Sequence, residues 1–243
     1  LIEAIPDATI LAREDPGDSD DDGISGRAGR TLDGRLARFG RKAEFATIED
    51  FSATALHLEM GLTTRRHPRD LISGKAAPAA TDPVSDPEVS DQTLSLLSTF
   101  VRLLAAPRPE PARSRAHADT VREGRRLFDA LGCPACHTPA MRTGPNEIPA
   151  LANRTVPLFS DLLLHDMGPA LADVCGPTAT PSEIRTELLM GLGRRDRFLH
   201  DARTDDITEA ILDHGGEARK ARDGFARLPW IRQQYLVIFL KSL

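Results

Sequence analysis

Residues 119–137 read DTVREGRRLFDALGCPACH. Their first part, 119–132, places apolar side chains at helical spacing and ends on a glycine that is suited to a helix C-cap. Their second part, Cys-x-x-Cys-His at 133–137, is the attachment sequence of c-type haem. The stretch therefore predicts an amphipathic helix that leads directly into a haem attachment site, the arrangement of a cytochrome c-like domain.

The spacing within the motif has a chemical reason. Two thiols three positions apart, Cys133 and Cys136, reach both vinyl groups of one porphyrin, and the adjacent imidazole of His137 lies under the iron as its proximal ligand. A thioredoxin-like redox pair would need a βαβ surrounding, a structural zinc site would need a second ligand pair, and a chance match is the remaining alternative. The third cysteine, Cys175, has no partner and is interpreted as a small, partly buried apolar residue.

Composition excludes several classes of protein. The chain has 243 residues, 40% of them apolar, and a formal net charge of -5. Its longest apolar stretch, 235–240, is too short for a membrane span, and its arginines form no basic stripe for nucleic acid. Only 5% of residues are aromatic, while Gly and Pro number 18 each, so strand formers are scarce. We expect an all-α protein of cytochrome c-like domains with long irregular loops.

Proline-rich segments mark the predicted organisation. Residues 107–111 (PRPEP) predict a stiff connector between a first unit, 1–106, and a second unit, 107–243, which is a complete cytochrome c-like domain with one haem c. Residues 76–88 predict a surface loop. Helices are predicted over 91–104, 207–214 and 230–240, and the last of these closes the core of the second unit.

The sixth position of the iron is the main mechanistic question, because it separates electron relays from catalysts. Met141 lies too close to the haem motif to reach the opposite face, and Met190 follows two leucines and is interpreted as core. His214 ends a short amphipathic helix that Gly215 and Gly216 close, so its imidazole can point inward. The candidates, before any resemblance is considered, are Met141, His165, Met167, Met190, His200 and His214.

Several stretches resemble the dihaem oxidoreductases often labelled thiol oxidoreductases. They are DDDGISGR at 20–27, LHDMG at 164–168, FLHDAR at 198–203 and EAILDHGGEA at 209–218. These proteins are relatives of bacterial dihaem cytochrome c peroxidase and of the methylamine-utilisation dihaem enzyme. The resemblance spans nearly the whole chain and implies two cytochrome c-like domains, each with its own haem. Because this chain has only one Cys-x-x-Cys-His, we expect the second haem upstream of residue 1 and interpret 1–106 as the C-terminal part of the first domain.

The resemblance also implies roles for individual residues. The distal ligand of the second-domain haem corresponds to His214, where those enzymes usually carry Met, and Met167 is the second choice. An internal echo, in which 38–61 parallels 198–215 in order but with different spacing, makes Met60, or else His57, correspond to a ligand of the upstream haem, with Glu59 as an acid/base candidate there. Alternatively, Met60 and His57 are ordinary helix residues. The His200-Asp201 pair matches a stretch that lies beside the haem in the relatives, or makes a structural hydrogen bond. Independently of the resemblance, three arginines are candidates to neutralise the haem propionates: Arg194, Arg195 and Arg197.

An acidic loop predicts a possible metal site. Asp18, Asp20 and Asp22, followed by Gly23, fit the Asp-x-Asp-x-Asp-Gly pattern in which carboxylates converge on calcium. The Glu expected at the twelfth position of such a loop is replaced by Gly29. A solvated acidic turn is the alternative. The resemblance favours calcium, since dihaem peroxidases hold a calcium near the interface between their haem domains.

These observations predict an exported c-type haem oxidoreductase, in the periplasm or otherwise outside the cytoplasm. If His214 closes the sixth position, the haem of this chain is an electron relay, and peroxide-like chemistry belongs to the upstream haem. Its partner would be a redox protein or a small-molecule oxidant. The alternative is a non-catalytic electron-carrier cytochrome, for instance in periplasmic iron handling. A thiol-disulfide oxidoreductase conflicts with the use of Cys133 and Cys136 for thioether bonds.

Overall fold

A computed structural model describes residues 1–72, 74–77, 82 and 84–243. Helices in the described part of the chain are joined by long irregular segments. The helices are α1 (Asp7–Leu11), α2 (Ile48–Met60), α3 (Asp91–Leu103), α4 (Arg115–Ala130), α5 (Ile207–Leu212), α6 (Arg219–Ala226) and α7 (Trp230–Lys241).

The all-α prediction is wrong, because short antiparallel strand pairs lie between the helices. The described residues form four two-stranded sheets. The strands are β1 (Gly29–Arg30) with β2 (Leu36–Ala37), β3 (Leu71–Ile72) with β4 (Lys75–Ala76), β5 (Met141–Arg142) with β6 (Thr155–Val156), and β7 (Leu164–Asp166) with β8 (Glu183–Arg185). Buried loop backbone must satisfy its N–H and C=O groups, and strand pairing does so over two or three residues without a sustained strand pattern.

Helix α4 confirms the segment predicted before the haem motif, although it begins earlier, at Arg115. The Ser114 side chain caps it by accepting a hydrogen bond from the His117 N–H. After the helix, Gly132 adopts a left-handed conformation with φ 81°, which a glycine tolerates without strain. The chain then turns through Cys133–Ala135, so the helix end fixes where the motif lies.

Helices α4 and α7 cross at a glycine and build the first core. At Gly124, an added Cβ would lie 2.0 Å from the Tyr235 carbonyl oxygen, so only glycine permits this approach. Three phenylalanine rings, Phe128, Phe159 and Phe239, meet edge to face beside the crossing. Helix α7 thereby closes the core as predicted.

A second core joins segments from both sides of the proline-rich connector. Ile5, Ile10 and Leu36 pack with Met141 and with the buried run around Leu162. The connector itself is irregular, and the Glu110 N–H donates to the Ser242 carbonyl oxygen at 2.9 Å. The division into 1–106 and 107–243 stays a prediction.

The other predicted elements lie close to their expected positions. The helices expected over 91–104, 207–214 and 230–240 are observed as α3, α5 and α7, with ends shifted by one or two residues. Helix α5 ends at Leu212, before the two glycines that were expected to close it. Of the loop predicted over 76–88, residues 78–81 and 83 lie outside the described residues.

Candidate haem-binding site

A cavity of about 690 Å³ lies beside the Cys-x-x-Cys-His motif. Cys133, Cys136 and His137 line it, together with side chains from α4 to α7 and from the loops between them. Its volume is in the range of cofactor pockets. The apolar part of the lining includes Phe128, Leu171, Phe198, Ile207, Phe225 and Leu236.

The two motif cysteines reach the cavity from one short turn. Both are free thiols, and Cys133 also packs against the core of α4 and α7. Burial raises the pKa of Cys133 to about 12 and raises that of Cys136 as well, so both are protonated at neutral pH. Cys175, by contrast, is exposed and does not line the cavity.

His137 is held in the form that binds iron. Its Nδ1 lies 3.0 Å from the Phe159 carbonyl oxygen and donates to it, which leaves Nε2 as the ligating nitrogen. Burial, reinforced by the nearby His214, lowers the pKa of His137 to about 4. The imidazole is therefore neutral, as metal ligation requires.

His214 shows the same arrangement on a different element. It follows α5, lines the same cavity, and donates from Nδ1 to the Ala210 carbonyl oxygen at 2.7 Å. Burial lowers its pKa below the ordinary value of histidine. Among the described residues, neither His214 nor His137 has a hydrogen-bond partner at Nε2. The structure thus brings two neutral imidazoles, each oriented by a carbonyl, to one cavity.

The other predicted ligands divide into two groups. Met167 and His200 line the cavity, and the imidazole Nε2 of His200 lies 3.6 Å from a carboxylate oxygen of Asp173. Met141 is buried in the second core, and Met190 packs against it. Met167 therefore stays the alternative to His214, and His200 stays a residue of the cavity wall.

His165 also lines the cavity, but both of its ring nitrogens contact carboxylates. Its Nε2 lies 2.8 Å from an Asp161 oxygen and its Nδ1 lies 2.7 Å from a Glu217 oxygen. Burial alone would lower its pKa, but hydrogen bonds with Asp161, Cys136 and Glu217 outweigh burial and raise the pKa to about 12. His165 is therefore an imidazolium with both nitrogens occupied. Sequence analysis missed this cluster, since its two carboxylates are far apart in the chain.

Several cationic side chains line the cavity. Arg195 and Arg197 line it, and Arg195 also contacts Glu187 at 2.8 Å, whereas Arg194 is not among the lining residues. Arg41 and Arg222 line it too, and no sequence motif had pointed to them. These groups supply positive charge where acidic groups of a cofactor can be bound.

The acidic loop brings its predicted carboxylates together. Oxygens of Asp18, Asp20 and Asp22 lie within 4.8 Å of one another. The loop turns through positive φ angles at Asp18, Asp21 and Gly23, and the Gly23 N–H donates to Asp18 at 3.1 Å. Its last carboxylate, on Asp22, also lines the large cavity.

The residues predicted to serve an upstream haem lie on α2, away from this cavity. Met60 is 66% exposed. His57 is buried and stacks on His67 with ring centroids 5.0 Å apart, and its Nδ1 has no partner in the described residues. Glu59 is exposed. Their role as ligands stays a prediction.

The comparisons with known proteins identify a family and one solved structure. The family model described as "Di-haem oxidoreductase, putative peroxidase" matches residues 1–243. No curated protein matches the chain. A hydrazine synthase of Kuenenia stuttgartiensis, pressurised with xenon, is 20% identical with a TM-score of 0.42 over 65% of this chain and 57% of its own. No helix in the described residues is long and apolar enough to cross a membrane.

Proposed function

This chain belongs to the di-haem oxidoreductase family, and on that premise we propose that it is an exported c-type haem protein whose haem is a six-coordinate electron relay. One observation carries the proposal. His137 and His214 line a single cavity, and each is oriented through Nδ1 by a backbone carbonyl so that Nε2 is left to bind iron.

The residues present fit a covalently attached haem. Cys133 and Cys136 would add their thiols to its two vinyl groups, and His137 and His214 would ligate the iron. The apolar lining would enclose the porphyrin, while Arg195 or Arg197, which both line the cavity, would neutralise a propionate. When bound, the group supplies a one-electron iron couple.

If His137 and His214 both ligated the iron, peroxide would have no free coordination position there, which argues for electron transfer at this site. Each imidazole would keep the Nδ1 proton that it donates to a backbone carbonyl, so the site would need no proton exchange during electron transfer. Substrate chemistry then belongs to the second haem that the family implies. The physiological partner would be a redox protein or a small-molecule oxidant.

Export and calcium binding complete the proposal. Bacteria attach haem c outside the cytoplasm, so a haem bound through Cys133 and Cys136 would place the chain in the periplasm or otherwise outside the cytoplasm. The convergence of Asp18, Asp20 and Asp22 supports a calcium ion in the acidic loop, since carboxylate oxygens are its preferred ligands. Fractionation of the native host, followed by detection of covalent haem in this polypeptide, tests the location.

The test of the proposed function is an absorption spectrum of the matured protein, oxidised and reduced, with a pyridine haemochrome count. We expect one covalent haem per chain and a low-spin spectrum without the long-wavelength band of methionine ligation. His214→Ala should convert the haem to high spin, while the matched Met167→Leu should leave the spectrum unchanged. A high-spin wild type, or a spectrum that changes only in Met167→Leu, would contradict the proposal.

A non-catalytic electron carrier is the second candidate, and the same two-histidine site favours it equally. The two are distinguished by peroxide-dependent oxidation of a reduced donor by the form that carries both haems. Turnover supports the oxidoreductase, whereas electron exchange without turnover supports the carrier. The third candidate, a thiol-disulfide oxidoreductase, would be supported only by loss of activity in Cys175→Ser.

A further inference from the structure

Glu217 connects three separate parts of the chain. Its carboxylate accepts hydrogen bonds from the Ser25 N–H at 3.1 Å and the Ser25 hydroxyl at 3.0 Å. It also accepts from His165 Nδ1 at 2.7 Å and from the Asp166 N–H at 3.1 Å. Glu217 lies three residues after His214, so the segment that carries the proposed distal ligand is fastened here to the N-terminal region and to β7.

The contact continues from Glu217 to the haem motif. His165 Nε2 pairs with Asp161, whose own N–H donates to the Cys136 carbonyl oxygen at 2.9 Å. Gly26 leaves room for the imidazole, because an added Cβ would lie 2.5 Å from His165 Cε1. One hydrogen-bonded chain therefore runs from the proximal side of the cavity, through His165, to the segment that follows His214.

Backbone packing holds the same segment from a second direction. An added Cβ at Gly216 would lie 2.0 Å from the Asp166 carbonyl oxygen, and one at Gly215 would lie 2.7 Å from the Met167 carbonyl oxygen. The two glycines let the chain after His214 cross directly over 166–168. Since α5 is only six residues long and ends at Leu212, the position of His214 depends on this crossing as well as on the helix.

We propose that Glu217 and His165 are positioning residues that hold His214 in its ligating position, so that their loss opens the sixth coordination site. The inference rests on the proposed function, namely on His214 as the distal ligand. Removing a group that hydrogen-bonds a metal ligand typically costs 10–100-fold in metal affinity or activity. Glu217 acts on the segment after His214 and not on its ring, so we expect an effect near the lower end of that range. Ser25 donates two hydrogen bonds to Glu217, so the N-terminal segment also helps to hold His214 in position.

The experiment compares matched variants of the haem-loaded protein. Glu217→Ala removes the support, and Glu183→Ala is the control, since Glu183 also fastens the N-terminal segment, through Arg27 at 2.6 Å, but does not line the cavity. Spin state, reduction potential and the apparent affinity for cyanide are measured. We expect Glu217→Ala to show a high-spin fraction and cyanide affinity raised about tenfold or more, whereas Glu183→Ala keeps the wild-type values.

Conservative variants separate positioning from a general loss of structure. Glu217→Gln keeps one acceptor oxygen but places an NH2 donor against two of the four donors, so it should give a high-spin fraction between those of wild type and Glu217→Ala. If the Glu217→Ala protein does not accumulate, Ser25→Ala is measured in its place. This variant deletes one hydroxyl contact with Glu217, and we expect its cyanide affinity to rise severalfold. The inference would be overturned if Glu217→Ala kept the spin state, reduction potential and cyanide affinity of wild type. The same result in Ser25→Ala would overturn it where that variant is used instead. Equal changes in Glu217→Ala and Glu183→Ala would also overturn it.

The outcomes also distinguish this inference from the proposed function. If His214→Ala leaves the wild-type spectrum unchanged, the assignment of the ligand fails first. If His214→Ala gives a high-spin haem while Glu217→Ala keeps the wild-type spectrum, potential and cyanide affinity, His214 is the ligand and the positioning role alone is wrong.

Discussion

Replacing Gly124 with alanine should separate the two helices that close the haem domain. The added Cβ would lie 2.0 Å from the Tyr235 carbonyl oxygen and 2.6 Å from the Phe239 Cβ. The Tyr235 carbonyl oxygen and the Phe239 Cβ cannot move by a side-chain rotation, so the steric clash can be removed only if α7 moves away from α4. Ordinary contact would require a shift of roughly 1 Å or more, in a core whose packing tolerates little change in volume.

Two opposing terms set the magnitude. Alanine is a better helix former than glycine by about 1 kcal/mol, which favours the variant. Overpacking of a close-packed core costs about 1–3 kcal/mol and occasionally more, and a fixed carbonyl places this site at the upper end. The net destabilisation should be about 1–2 kcal/mol, which lowers the Tm of a chain of this size by about 2–8 °C.

Thermal and urea unfolding of haem-loaded protein, with haem content matched by pyridine haemochrome, measures the effect. Gly224→Ala is the control within helix α6, because the nearest atom to its added Cβ is a flexible Leu131 methyl at 2.9 Å. We expect that control to be neutral or slightly stabilising. A Gly124→Ala protein as stable as the Gly224→Ala protein would refute the inference that backbone contact sets the crossing.

Two further predictions concern charge. Burial would raise the pKa of Glu183, but hydrogen bonds from Arg27 and Thr180 hold that pKa below its usual 4.5. The Glu183 carboxylate therefore stabilises the fold fully above pH 4.5, and this stabilisation is lost as the pH falls through the lowered pKa. Glu183→Gln should therefore be less stable than wild type at pH 7 by about 1 kcal/mol, with the difference shrinking in urea unfolding as the pH falls through that lowered pKa, and a constant difference would contradict the assignment. Calcium should raise the Tm of wild type but not of Asp20→Ala, with magnesium as the control ion, and equal shifts in both proteins would exclude the acidic loop.

Local patterns in the sequence predicted the elements around the haem motif. Helix α4 has apolar side chains at helical spacing and a glycine at its end, both of which are properties of neighbouring residues. The position of His214 after a short helix was predicted for the same reason. Each of these features requires only hydrogen bonds and contacts within a few residues, so one sequence is enough to show them.

The strand pairs could not be predicted in this way. Leu164–Asp166 pairs with Glu183–Arg185, and Thr155–Val156 pairs with Met141–Arg142, each over two or three residues. Alternation of apolar and polar side chains needs four or more residues to be visible. Scarcity of aromatic residues argued against long strands, and it had no bearing on strand pairs of two or three residues, in which backbone N–H and C=O groups pair locally.

Gly215 and Gly216 were correctly singled out from the sequence, but the role that was assigned to them as a helix cap is wrong. They were interpreted as the cap of the helix that ends with His214, yet α5 ends at Leu212 and Gly215 has an extended backbone. Their actual requirement is the close passage over 166–168, a contact between positions about fifty residues apart. The same distance in sequence hid the pairing of His165 with Glu217. A motif such as Cys-x-x-Cys-His is therefore visible in the sequence because its spacing is local, whereas the contacts that fix the segment after His214 follow from the tertiary structure alone.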